Sequence, residues 1–96
     1  RFNMFKKKRG IRLSYYKQGL VYFLCANFHS LPKSYRDLIC KLCVDVGGAD
    51  SDALFALLTK PEFSVSGISI QFYVSEKKLY NLREKFYLEF WERIFK

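Results

Sequence analysis

Five apolar residues near the C-terminal end constrain this chain more than any other feature. Ile68 and Phe72 lie four apart, Leu79 and Leu82 lie three apart, and Val74 stands between the two pairs. Spacings of three and four put side chains on one face of a helix. The stretch from Ser64 to Arg83 therefore predicts two short helices joined by a tight corner, with Val74 plugging it. Ser69 is small, as two closely crossing helices require. Ser75 stands where its hydroxyl can accept a hydrogen bond from an exposed N–H of the second helix.

This is the pattern of a helix-turn-helix, whose second helix usually enters the major groove of DNA. Such units have apolar residues at the fourth, eighth, tenth, fifteenth and eighteenth places and a small residue at the fifth. Counted from Val65, those places hold Ile68, Phe72, Val74, Leu79 and Leu82, with Ser69 at the fifth. The ninth place is often Gly, because the corner can require positive φ. Here it is Tyr73, and positive φ costs a non-glycine residue about 1–2 kcal/mol. Either another turn geometry or a slightly longer first helix is expected. An ordinary pair of packed amphipathic helices would share most of the same spacing.

The wording Phe72-Tyr-Val-Ser-Glu-Lys-Lys-Leu-Tyr-Asn-Leu-Arg-Glu-Lys-Phe86 resembles the C-terminal helix-turn-helix of small regulators carried by bacterial phages and integrative conjugative elements. More distantly it is similar to the DNA-reading end of sigma-type factors. The resemblance spans residues 64 to about 90 and implies sequence-directed DNA binding in a bacterium. The first sixty residues carry no such resemblance.

Ninety-six residues suit one small domain with a thin stability margin. Half the residues are apolar and only two Pro and five Gly interrupt them, which favours long helices over a many-turned β protein. The net charge of +8 is unevenly spread. Residues 1 to 12 hold Arg1, Lys6, Lys7, Lys8, Arg9 and Arg12 with no acid, leaving eleven basic against nine acidic residues elsewhere. A flexible basic arm over 1–12 followed by a single helical domain over 13–96 is expected. Such an arm neutralises phosphates and adds salt-dependent affinity without choosing sequence. It could equally meet anionic lipid headgroups or keep the chain in solution.

The longest apolar run, Leu20 to Ala26, is seven residues, well short of the roughly 20 that span a membrane. Neither a membrane segment nor a secretory signal is expected. Three Cys, an odd number, favour a reducing compartment, so a cytoplasmic location follows. Cys25, His29, Cys40 and Cys43 make four candidate zinc ligands. The apolar flanks of Cys40 and Cys43 favour buried thiols on a helix face instead, and no metal or other cofactor is expected. No catalytic constellation stands out either. The single His is at position 29, and Asp50 and Asp52 are two apart, so they point to different sides of a helix.

The fold expected is all-α: a compact bundle of about five helices ending in a helix-turn-helix at about 64–86 with a long C-terminal helix. Leu13 to Phe28 should form a central helix, with Tyr16, Leu20, Phe23, Leu24 and Asn27 recurring at three and four. Val21, Cys25 and Phe28 widen that face. Pro32 suits the start of the next helix, about 33 to 46, which Gly47-Gly48 ends. Asp50 or Ser51 should cap a short helix through Leu58, stopped at Lys60-Pro61. The last helix should run from Glu76 to about Phe95 and carry two apolar stripes, 79-82-86-90-94 and 80-87-91-95. The second stripe either completes the core or forms a homodimer contact.

On that last helix Glu76, Lys77, Tyr80, Asn81 and Glu84 are the expected readers of base edges. Asn can pair bidentately with adenine, and Lys can donate to guanine. Ser75, Lys78, Arg83 and Lys85 are candidates for phosphate contacts, with Lys6, Lys7, Lys8, Arg9 and Arg12 of the arm. The expected function is sequence-directed binding of double-stranded DNA, as a transcriptional regulator or accessory factor of a mobile element. A helical protein-interaction module is the alternative.

Overall fold

The computed structural model describes residues 11 to 95, and within them the chain is helical without a strand. Five α-helices follow one another: α1 (Tyr15–Ala26), α2 (Lys33–Gly47), α3 (Ser51–Thr59), α4 (Val65–Phe72) and α5 (Glu76–Phe95). Short 3-10 turns at Phe28–Ser30 and Gly48–Asp50 link the first three. The arm read over 1–12 lies outside the described residues except for its last two. Ile11 is buried, and Arg12 pairs with Glu84.

Local chemistry accounts for most helix ends. The Ser14, Ser64 and Ser75 hydroxyls accept from the N–H groups of Lys17, Gly67 and Lys78, each three residues on, satisfying donors that the helix leaves free. Pro32 stands immediately before α2 with φ −57°. Gly48 closes α2 at φ 54° and donates to the Val44 carbonyl. Asp50 occupies the cap position of α3 but makes no side-chain cap there. Its carboxylate pairs with Lys78 instead.

Two apolar clusters hold the bundle. The larger joins Val21, Cys25 and Phe28 to Ile39, Leu42 and Cys43, and all of these to Leu82, Phe86, Tyr87 and Phe90 of α5. The smaller unites Ala53, Ala56 and Leu57 of α3 with Ile68, Val74 and Leu79. The α5 stripe 79-82-86-90 is buried throughout, and Tyr87 of the second stripe is 2% exposed. Tyr87 completes the core rather than an exposed contact face.

Helix α1 is rotated from the face expected for it. Tyr16, Leu20 and Phe23 are exposed, Tyr16 at 83%, while Gln18, Gly19, Val21 and Cys25 face inward. The polar Gln18 tolerates burial because its amide donates to the Ile11 and Leu13 carbonyls at 3.2 and 3.0 Å. These bonds fold the segment before α1 back over the bundle. A buried amide left unpaired would cost about 1–3 kcal/mol, so they bear on which face turns in.

Candidate nucleic-acid interface

The corner between α4 and α5 consists of Tyr73, Val74 and Ser75. Tyr73 adopts the left-handed conformation, φ 58° and ψ 41°, and is the only non-glycine with positive φ among the described residues. Both sequence expectations for this position, a different turn and a longer first helix, are therefore corrected. The tyrosine itself takes the strained conformation. The N–H groups of Tyr73 and Val74 both donate to the Ser69 carbonyl, satisfying the end of α4. Once the chain has turned, Val74 drops into the cluster with Ile68 and Leu79, while the Tyr73 ring is 95% exposed. Burying Val74 here while keeping Ser75 as the cap of α5 leaves no residue to spare for a looser turn.

The proposed base readers divide by environment. Glu76, Lys77, Tyr80 and Asn81 are exposed on the first turns of α5. Glu84 is half-buried and accepts from the Arg12 Nε at 3.0 Å. Arg12 is itself mostly exposed, and surface pairs of this kind contribute about 0–1 kcal/mol. That is little enough for either partner to exchange for another ligand. The pair joins one expected phosphate contact to one expected base reader.

The proposed phosphate contacts divide too. Ser75, Lys78 and Lys85 are exposed, and Lys78 is engaged by Asp50 of the loop before α3. Arg83 is half-buried at the flank of the exposed face. It follows Leu79 by four residues and precedes Phe86 by three, and both of those are fully buried. Its guanidinium lies 5.2 Å from the centre of the Tyr80 ring, a cation–π distance. Its Nε is buried without a hydrogen-bond partner. Burial lowers the Arg83 pKa from its ordinary value, against the raising influence of Tyr87 and Tyr80. Lys6, Lys7, Lys8 and Arg9 lie outside the described residues.

The four residues considered for zinc do not converge. Cys25 and Cys43 are buried, Cys40 is exposed, and His29 sits exposed in the 3-10 turn after α1. No grouping of three or more metal-ligating side chains occurs among the described residues. Burial pushes the Cys43 thiol up to about 12, and Cys25 rises for the same reason. Both therefore stay neutral and inert at ordinary pH. No described helix is long and apolar enough to cross a membrane. Compared with known family models, characterised proteins and solved structures, the chain matches none.

Proposed function

We propose that this protein binds double-stranded DNA through a helix-turn-helix formed by α4 and α5, laying the exposed face of α5 in the major groove. The observation that carries the reading is Tyr73. It stands at the ninth place of the pattern, where such units often have Gly, and it adopts the positive φ for which glycine is favoured there. The packing of Ile68, Val74 and Leu79 beneath it supports the same reading.

Lys77 and Asn81, four residues apart, are the central readers, flanked by Glu76 and Tyr80. Glu84 joins them when Arg12 turns to a phosphate. Ser75, Lys78 and Lys85 position the helix on the backbone, and the basic arm adds affinity without sequence preference. The resemblance to regulators of phages and conjugative elements supports a role in bacterial transcription or mobile-element control without catalysis or a cofactor, hence in the cytoplasm.

Selection of bound sites from a pool of random duplexes tests the reading. A recurrent motif is expected, with affinity falling steeply as salt rises. Recovery of unenriched sequence would exclude base reading by α5. The second reading is a helical protein-interaction module, favoured by the exposed Tyr16 and Leu20, which lie four apart on α1. Capture of a partner protein that survives nuclease treatment, together with failure of the selection, would establish it in place of DNA binding.

A further inference from the structure

A cavity of about 200 Å³ lies at the flank of the proposed reading face of α5, between α5, the end of α3, the start of α4 and Tyr22 of α1. Leu57, Phe63 and Val65 give it apolar walls, and Ser64, Arg83 and Tyr87 give it polar ones. Three independent observations mark it as a site rather than a packing fault. Arg83 makes no ion pair or hydrogen bond among the described residues, and its Nε is buried and unsatisfied. Tyr87 is 2% exposed, and its hydroxyl has no hydrogen bond among the described residues. The eight-residue helix α4 begins at the cavity edge, where the Ser64 hydroxyl satisfies only the Gly67 N–H.

A buried N–H left without a partner is costly, and three kinds of donor face the cavity: a guanidinium, a phenol and a helix N-terminus. Together they complement an oxyanion. The apolar walls say more about the ligand. They give nothing to a small hydrated inorganic ion, whereas an aromatic or branched aliphatic body would displace water from them. About 150 Å³ is enough to hold benzene, so a volume of about 200 Å³ has room for a ring bearing one charged group. A planar carboxylate matches the fork of an arginine. A DNA phosphate is not the natural occupant, because it would leave the apolar walls of Leu57, Phe63 and Val65 unfilled.

We propose that this cavity binds a small organic carboxylate, with its charged end on Arg83 and Tyr87 and its apolar body against Leu57, Phe63 and Val65. The site does not depend on duplex binding, and ligand binding is measured on the full chain alone. Such a ligand would tie the α3–α4 connection to α5 and so brace the corner.

Calorimetric titration with sodium benzoate, against sodium chloride and sodium phosphate at matched ionic strength, tests this. Saturable benzoate binding is expected with no comparable binding of phosphate. Arg83→Met should abolish it, Tyr87→Phe should weaken it by about tenfold, the size of a hydrogen bond to a charged group, and Lys85→Met should leave it unchanged. If Arg83→Met loses its helical circular dichroism, Tyr87→Phe decides the question alone. Absence of benzoate binding, unchanged affinity in folded Arg83→Met or in Tyr87→Phe, or equal binding of phosphate would overturn the proposal.

Discussion

The two apolar clusters do different work. The larger is aromatic and central: Phe28, Phe86, Tyr87 and Phe90 fill it, and α1, α2, α3 and α5 all contribute. The smaller is aliphatic, built from Ala53, Ala56, Leu57, Ile68, Val74 and Leu79 under the corner. Aromatic side chains bury about 150–250 Å² each, so the larger cluster dominates the free energy of folding. The alanines of the smaller one let α3 approach the corner closely, and what it secures is geometry. Helix α5 passes through both, so a stable barrel of helices holds one end while the corner sets the other.

Phe86→Ala should show the largest effect. Phe86 is fully buried, and such truncations cost about 3–5 kcal/mol, a large share of a small domain's stability. Denaturant unfolding measures it, and a loss under about 1 kcal/mol would dissolve the distinction between the clusters. Ile68→Ala should cost about 2–3 kcal/mol and act locally. Hydrogen exchange should quicken over residues 65 to 79 before it quickens in α2. Uniform acceleration would mean that the two clusters melt as one.

Tyr73→Gly should stabilise the protein. Relief of positive φ returns about 1–2 kcal/mol, while glycine costs about 0.5–1 kcal/mol in chain entropy, leaving a net gain of about 0.5–1 kcal/mol. Thermal unfolding reads it, and destabilisation would show that the exposed ring makes contacts worth more than the strain. The smallest effect belongs to the far end of α5. A hydrogen bond from Arg93 at 3.1 Å, aided by the charges of Lys41 and Arg93, holds the Asp45 carboxyl below its ordinary pKa. A depressed carboxyl stabilises the fold above the unfolded-state pKa, and that contribution disappears as pH falls through the folded value. Asp45→Asn should therefore slightly lower stability near neutrality, flatten the acid limb of the stability curve, and match the parent protein at low pH.

The sequence revealed some of these features and concealed others for physical reasons. The corner was legible because Ile68, Val74 and Leu79 fall at helical spacings on either side of it and pack together, and the Ser75 cap and the five helices follow from similarly local rules. The conformation of Tyr73 was not, since intrinsic preference argues against positive φ and only the surrounding packing imposes it. The face of α1 was ambiguous because Tyr16, Leu20 and Phe23 are as apolar as Val21, Cys25 and Phe28. The choice involves Gln18, whose buried amide finds its acceptors in the segment ahead of the helix. The Arg12–Glu84 and Lys78–Asp50 pairs join residues far apart in the chain, which periodicity cannot anticipate. The partial burial of Arg83 was not legible, because its charge is visible in the sequence while its place between Leu79 and Phe86 on the helix is a weaker signal.

The central claim is that the exposed face of α5 reads bases, and Asn81 gives the most direct test. Binding of the parent protein and Asn81→Ala would be measured on a selected duplex and on a scrambled one at the same salt. The account predicts a loss of about 1–3 kcal/mol on the selected duplex and almost none on the scrambled one. Equal losses on both, or no duplex binding by the parent protein even at low salt, would contradict it.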